Sequence, residues 1–114
     1  MIDWEEFHNF FQSFGNNVII DIIDTFVDDH QKDMKLIEQA IKDKDFPTIR
    51  FSSHHIKGSI GTFRDPDTAK IAYKLEEMGE NNIEDGLKEA FAELQPAVKS
   101  LMQELLDYRK KITS

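Results

Sequence analysis

Between residues 17 and 44 the chain contains neither proline nor glycine, and Ile19, Ile23, Phe26, His30, Met34, Ile37 and Ile41 recur along it three or four residues apart. That heptad-like spacing places all seven on one side of a single long helix and leaves the charged residues for the other. A helix of this kind draws most of its stability from burying its apolar face against something else. The remainder of the sequence offers it only further helices.

Start and stop signals delimit those helices. Asp3 and Glu6 form a capping box and Ile2 and Phe7 a hydrophobic staple, opening a short helix over 3–14 that Gly15 ends. Trp4, Phe7, Phe10, Phe11 and Phe14 crowd this helix, which suits a lid over one end of a bundle. Most of these rings belong in the core, with a few left as docking surface. Asn16 or Asn17 caps the long helix, 17–44. Asp45 starts the next, 46–64, with Pro47 in its first turn, and Asp65-Pro66 starts another, 66–79. In that fourth helix Ala69, Ala72, Leu75 and Met78 face inward and Gly79 is the stop. Asn82 caps the last helix, 83–112, with Ile83, Leu87, Ala90, Leu94, Val98, Leu101, Leu105 and Tyr108 as its apolar positions. Pro96 falls inside that pattern and predicts a kink instead of an end. No strand pattern, internal repeat or low-complexity stretch occurs. Short connections make consecutive helices antiparallel neighbours. The expected fold is all-α: one domain over residues 1–114, an up-down antiparallel four-helix bundle with a short N-terminal lid helix.

Composition removes several functional classes. A chain of 114 residues is enough for a single core, and the absence of cysteine excludes disulfides and thiolate metal sites. A net charge of −8 argues against nucleic acid as a partner. No apolar run approaches the ~20 residues of a membrane span, and no basic start precedes an apolar signal region, so the cytoplasm is the expected location. The charge is unevenly spread. From Phe46 to Lys74, Arg50, Lys57, Arg64, Lys70 and Lys74 face only Asp65 and Asp67, so this segment is +3 and the rest −11. Lys70 and Lys74 read equally well as ordinary solvated charges.

Within this basic segment the third helix carries two sets of residues. Ile49, Ser53, Ile56, Ile60 and Phe63 fall on the core side. His54, Lys57, Gly58 and Gly61 fall roughly opposite, at i, i+3, i+4 and i+7, and so form one surface strip. Each glycine in a helix interior costs about 0.8–1 kcal/mol relative to alanine. Packing gives no reason for two of them on the solvent side. Their effect is to bare the backbone beside His54, so that a second body can approach the imidazole closely. Neutral imidazole is a competent nucleophile near neutral pH, and a lysine one turn along supplies a positive charge for phosphoryl oxygens. A histidine, a lysine and clearance are what a residue that receives and passes on phosphate requires.

The run His54-His55-Ile56-Lys57-Gly58-Ser59 resembles the signature of the histidine-containing phosphotransfer (HPt) family, His-x-x-Lys-Gly-Ser followed by small residues. The likeness spreads over roughly residues 18 to 106, through Phe26-Val27-Asp28-Asp29, Leu36 to Ala40, Asp45-Phe46 and Lys74-Leu75-Glu76. Two positions depart from it. A glycine common in the family near the end of the third helix is Arg64, and Ile60 replaces a small residue. The end of that helix is therefore the least fixed part of the pattern.

The resemblance implies the bundle-and-lid fold and a phosphorelay intermediate. His54 would accept a phosphoryl group from a receiver-domain aspartate or a histidine kinase relay and pass it to a response-regulator aspartate. Lys57 would steady the phosphoryl oxygens, and Gly58 and Gly61 would let the receiver close in. Arg50 and Phe51 flank the strip as docking residues, Phe51 reading equally well as a ring covered by the first or fourth helix. The implied partners are receiver domains of response regulators and hybrid histidine kinases, with no nucleic acid, no membrane and a monomeric protein. No metal or other cofactor belongs to the chain itself; Mg2+ is expected in the partner's receiver domain. Stoichiometric transfer without an ATP-binding loop means that the chain is not an enzyme. Capped first and last helices favour a free-standing protein.

Other readings are weaker on the residues themselves. His55 as acceptor would have Lys57 on a different face. Glu5-Glu6-Phe7-His8 contains one Glu-x-x-His, whereas a di-iron bundle needs two such motifs on long helices and two further glutamates. No Gly-rich phosphate loop supports a kinase. His30, on the apolar stripe, reads as a hydrogen-bonded, partly buried residue. The rival from a different class is a non-catalytic helical adaptor bundle whose His-Lys-Gly run is accidental.

Overall fold

The computed structural model describes residues 1–113, and among them are five helices and no strand. They are α1 (Trp4–Phe11), α2 (Asn16–Asp43), α3 (Phe46–Thr62), α4 (Pro66–Glu80) and α5 (Leu87–Thr113). Helices α2 to α5 close a ring in which α3 packs between α2 and α4, and α5 returns to α2. This is the all-α bundle expected, elongated to 45 × 23 × 20 Å.

Three of the anticipated helix starts form on their capping aspartates. Asp45 accepts the Thr48 backbone N–H at 3.2 Å and the Thr48 hydroxyl at 2.6 Å. Asp65 repeats this arrangement on Thr68, at 3.2 and 2.7 Å, inside the protein. At α1, Asp3 accepts the Glu6 N–H at 3.2 Å, while its own N–H donates to the Arg64 carbonyl at 2.7 Å. The turn after α3 thus completes the cap of α1, fixing the lid to the α3–α4 corner. Trp4 and Phe7 pack on Tyr108 of α5, and Phe11 stacks on Phe63.

Several boundaries move. Helix α1 stops at Phe11 instead of 14, and Gly15 is the N-cap residue of α2, so neither Asn16 nor Asn17 caps it. Helix α3 ends at Thr62 instead of 64, because Arg64 adopts a left-handed φ of 60°. A backbone that turns left-handed there explains the glycine that the HPt pattern favours at this position, since a side chain makes it costly by roughly 1–2 kcal/mol. The Arg64 guanidinium lies 4.3 Å from the Phe10 ring centroid, a cation–π contact that offsets part of that cost.

At the other end of the bundle, Asn82 does not cap α5. It takes the left-handed position after α4, and the Ile83 N–H closes back on the Met78 carbonyl at 2.9 Å. Ile83 consequently sits in an exposed turn, and α5 begins at Leu87, not 83. It then runs through Pro96 to Thr113 without a break.

Gly79 is not a stop signal either. Helix α4 continues past it, and a Cβ at this position would lie 2.6 Å from the Arg50 backbone nitrogen and 3.0 Å from the Phe46 carbonyl oxygen. The residue is a contact point between the backbones of α3 and α4.

On α2 the buried residues are Ile19, Ile23, Phe26, His30, Asp33, Ile37 and Ala40, spaced alternately four and three apart. Met34 and Ile41 are only half buried. The strict 3.5-residue period belongs to a helix that supercoils within a bundle. It brings an aspartate to the inner side where hydrophobicity alone selects its methionine neighbour. Asp24 and Arg109 tie α2 to α5 by a two-bonded ion pair at 2.7 and 3.0 Å.

Candidate functional site

Helix α3 presents its strip as the spacing requires. Ile49, Ser53, Ile56 and Ile60 are fully buried, and Phe63 follows them into the core. On the outer side the His54 side chain is 65% exposed and that of Lys57 27%. A Cβ built on Gly58 or Gly61 would meet nothing within 4 Å. No neighbour within the chain therefore needs the smallness of either glycine.

The strip is bordered on one side by α4. Helices α3 and α4 fold back on each other about Asp65, so His54 and Glu76 lie eleven residues on either side of it and Lys57 and Tyr73 eight. Glu76 meets both polar side chains of the strip. Its Oε2 lies 3.2 Å from His54 Nδ1 and its Oε1 2.6 Å from Lys57 Nζ. Burial pushes the Glu76 carboxyl up, but the hydrogen bonds and charges of Lys57 and His54 outweigh it and hold the carboxyl below its ordinary value. An ionised carboxylate only accepts, so Nδ1 of His54 carries the hydrogen in this bond. In the neutral ring Nε2 then keeps its lone pair, on the ring edge opposite Glu76. The Lys57 ammonium also sits 4.9 Å from the centroid of the Tyr73 ring.

On the other side of the strip, His55 turns toward α2 and pairs through Nδ1 with Asp33 at 2.8 Å. It borders a groove of about 380 Å³ whose lining includes Val18, Ile22, Phe26 and Phe63 with Asp21 and Asp29. Lys57 belongs to the opposite border, and the carboxylates around His55 would repel a phosphoryl group. His30 lies buried, with Nδ1 2.8 Å from the Val27 carbonyl and 3.2 Å from that of Phe26, the hydrogen-bonded role expected of it.

Of the flanking residues, Phe51 is 68% exposed and Arg50 exposed too, so neither α1 nor α4 covers the phenylalanine ring. Both lie on α3 before His54, while Gly58 and Gly61 lie beyond it. Glu5 and His8 are exposed on the lid, and among the described residues no group of three or more His, Asp or Glu side chains could hold a metal ion. None of the helices is long and apolar enough to cross a membrane.

Two members of the site, Glu76 and Tyr73, escape sequence reasoning about the motif, because their link to His54 and Lys57 is tertiary. The available signal was the turn at Asp65-Pro66: folding the chain back there pairs residues equidistant from it.

In a comparison with family models the chain matches the Hpt domain over residues 21–108. No curated protein and no solved structure matches the chain. The matched region runs from the first turns of α2 almost to the end of α5 and includes the whole strip. The chain belongs to the Hpt domain family, the histidine phosphotransfer modules of two-component phosphorelays.

Proposed function

We propose that His54 accepts a phosphoryl group from a receiver-domain aspartate and delivers it to the aspartate of a response regulator. The observation that carries this reading is the Nδ1 bond to Glu76 on a strip whose two glycines nothing covers. In the forward step the Nε2 lone pair attacks phosphorus in line. The P–O bond to the aspartate breaks, and the carboxylate leaves with its electron pair. The ring hydrogen stays on Nδ1, and Glu76 stabilises the positive charge that grows on the imidazole as the N–P bond forms. Delivery is the reverse sequence with a second aspartate. Lys57, already beside Glu76, supplies its ammonium to the phosphoryl oxygens. Gly58 and Gly61 let the receiver approach until water is excluded from the labile N–P bond, with Phe51 and Arg50 on the docking rim. Any Mg2+ would be held by the receiver's acidic pocket and would supply charge neutralisation there, not in this chain. Each phosphoryl group received is handed on, so the protein acts as a stoichiometric carrier and not as an enzyme.

The test is transfer from a phosphorylated receiver domain. His54→Gln should abolish acceptance, leave receiver binding nearly intact and change stability by no more than about 0.5 kcal/mol. Gly58→Gln should lower the transfer rate toward the ~100-fold loss that a displacement of ~1 Å can cause, without unfolding the chain. Acceptance that survives His54→Gln and disappears in His55→Gln would reverse the assignment. A wild type that binds receivers without taking phosphate would leave only an adaptor.

A further inference from the structure

We propose that Tyr73 is a positioning residue for phosphotransfer, its ring holding the Lys57 ammonium where the phosphoryl group will arrive on His54; this rests on the function proposed above. Tyr73 stands opposite Lys57 in the antiparallel register, and Glu76 stands opposite His54, one turn along. From its own position Lys57 reaches back that one turn to meet Glu76 at 2.6 Å, with Nζ 4.9 Å from the Tyr73 ring centroid. Helical side chains lean toward their own N-terminus, which on α3 is the direction of His54. The ring and the carboxylate together keep the ammonium leaning that way.

The fold itself asks little of this tyrosine. It is 47% exposed, and its hydroxyl makes no hydrogen bond among the described residues. What the ring does is to lie against a cation, an attraction that the negative face of an aromatic ring provides without competing for hydrogen bonds. A second carboxylate there would hold Lys57 more strongly but would also repel the incoming phosphoryl oxygens. A ring holds the ammonium and leaves its charge available. A lysine stem surrenders much of its rotamer freedom when its ammonium is fixed, and here that ordering precedes the arrival of phosphate.

The experiment separates the ring from the hydroxyl and the lysine from the fold. Wild type, Tyr73→Phe, Tyr73→Leu, Lys57→Met and the Tyr73→Leu/Lys57→Met double variant are phosphorylated with phosphoramidate. His54 Nε2 attacks its phosphorus, the P–N bond breaks and ammonia leaves with the bonding pair. Rate of phosphohistidine formation and its half-life are read together, with circular dichroism to check the fold. Tyr73→Phe should match wild type. Tyr73→Leu should slow formation by about 2–5-fold, the equivalent of the ~0.5–1 kcal/mol of a cation over an exposed ring. In the Lys57→Met background Tyr73→Leu should have no further effect. Equal rates for Tyr73→Leu and wild type, the same loss with and without Lys57, or failure of phenylalanine to rescue would each overturn the role. A wild type that takes no phosphate on His54 refutes the parent reading as well. A wild type that is phosphorylated but indifferent to Tyr73→Leu refutes this role alone.

Discussion

The same substitution, glycine to alanine, should have opposite effects at two positions of this bundle. At Gly58 a new methyl meets nothing within 4 Å, so only the intrinsic preference of a helix for alanine remains. That preference stabilises by up to about 1 kcal/mol. At Gly79 the propensity gain is similar, but the methyl would sit 2.6 Å from the Arg50 nitrogen and 3.0 Å from both the Arg50 Cα and the Phe46 carbonyl oxygen. All three are backbone atoms, which cannot rotate away, so α3 and α4 must separate. Overpacking of this kind costs about 1–3 kcal/mol, and contact with two adjacent turns of backbone places Gly79 at the upper end. Subtracting the propensity gain leaves Gly79→Ala destabilised by about 1–2 kcal/mol. For a domain of this size each kcal/mol moves the melting temperature by roughly 3–6 °C. Thermal denaturation should therefore show Gly58→Ala rising by a few degrees and Gly79→Ala falling by about 3–12 °C. Equal stabilisation by both would show that the two backbones do not touch at Gly79. Destabilisation by Gly58→Ala would show that the strip is packed against something.

Two further expectations concern the carboxylates that face the adjacent histidines. Because the folded Glu76 carboxyl lies below its ordinary value of 4.5, its stabilising contribution is complete above that pH and is lost as pH falls through the folded value. Denaturation of wild type and Glu76→Gln across pH should give a constant difference near neutrality that shrinks on acidification below 4.5; a pH-independent difference would show that Glu76 does not owe its role to charge. Asp33→Ala should destabilise by about 0.5–1.5 kcal/mol through loss of the His55 bond, and Asp33→Leu should recover most of that by filling an inward position with an apolar side chain. If leucine is worse than alanine in urea denaturation, the 3.5-residue register of α2 is misassigned.

Residue patterns reveal most of this fold where one physical signal dominates. Asp45 with Pro47, and Asp65 with Pro66, mark α3 and α4 because a carboxylate cap and a fixed φ both favour starting a helix there. His54, Lys57, Gly58 and Gly61 form a legible strip because helical glycines with open space beside them oppose propensity without a packing reason. The misread places are those where one residue type serves two roles. Gly79 resembles a C-terminal stop yet is a contact, and only the position of α3 distinguishes the two. Asn82 suits an N-cap and a left-handed turn equally, and Ile83 beside it looks like the first apolar residue of a helix although the turn exposes it. Asp33 is concealed by its own polarity, since a charged residue facing inward becomes legible only with the His55 imidazole that partners it. Glu76 sits 22 residues from His54, too far for any local pattern to join them.

Connectivity bears on the order in which the site can assemble. Only residues 44–45 separate α2 from α3, and only residues 63–65 separate α3 from α4. Closing such short loops surrenders little chain entropy, and that loss grows with each doubling of loop length by about 0.6 kcal/mol. Helix α5, by contrast, has to return across the chain to α2, where Arg109 meets a partner 85 residues away. His54, Lys57, Tyr73 and Glu76 all belong to the hairpin of two helices that meet most cheaply. His54 and Glu76 can therefore find one another through local encounters, while the distant closure by α5 seals the core behind them.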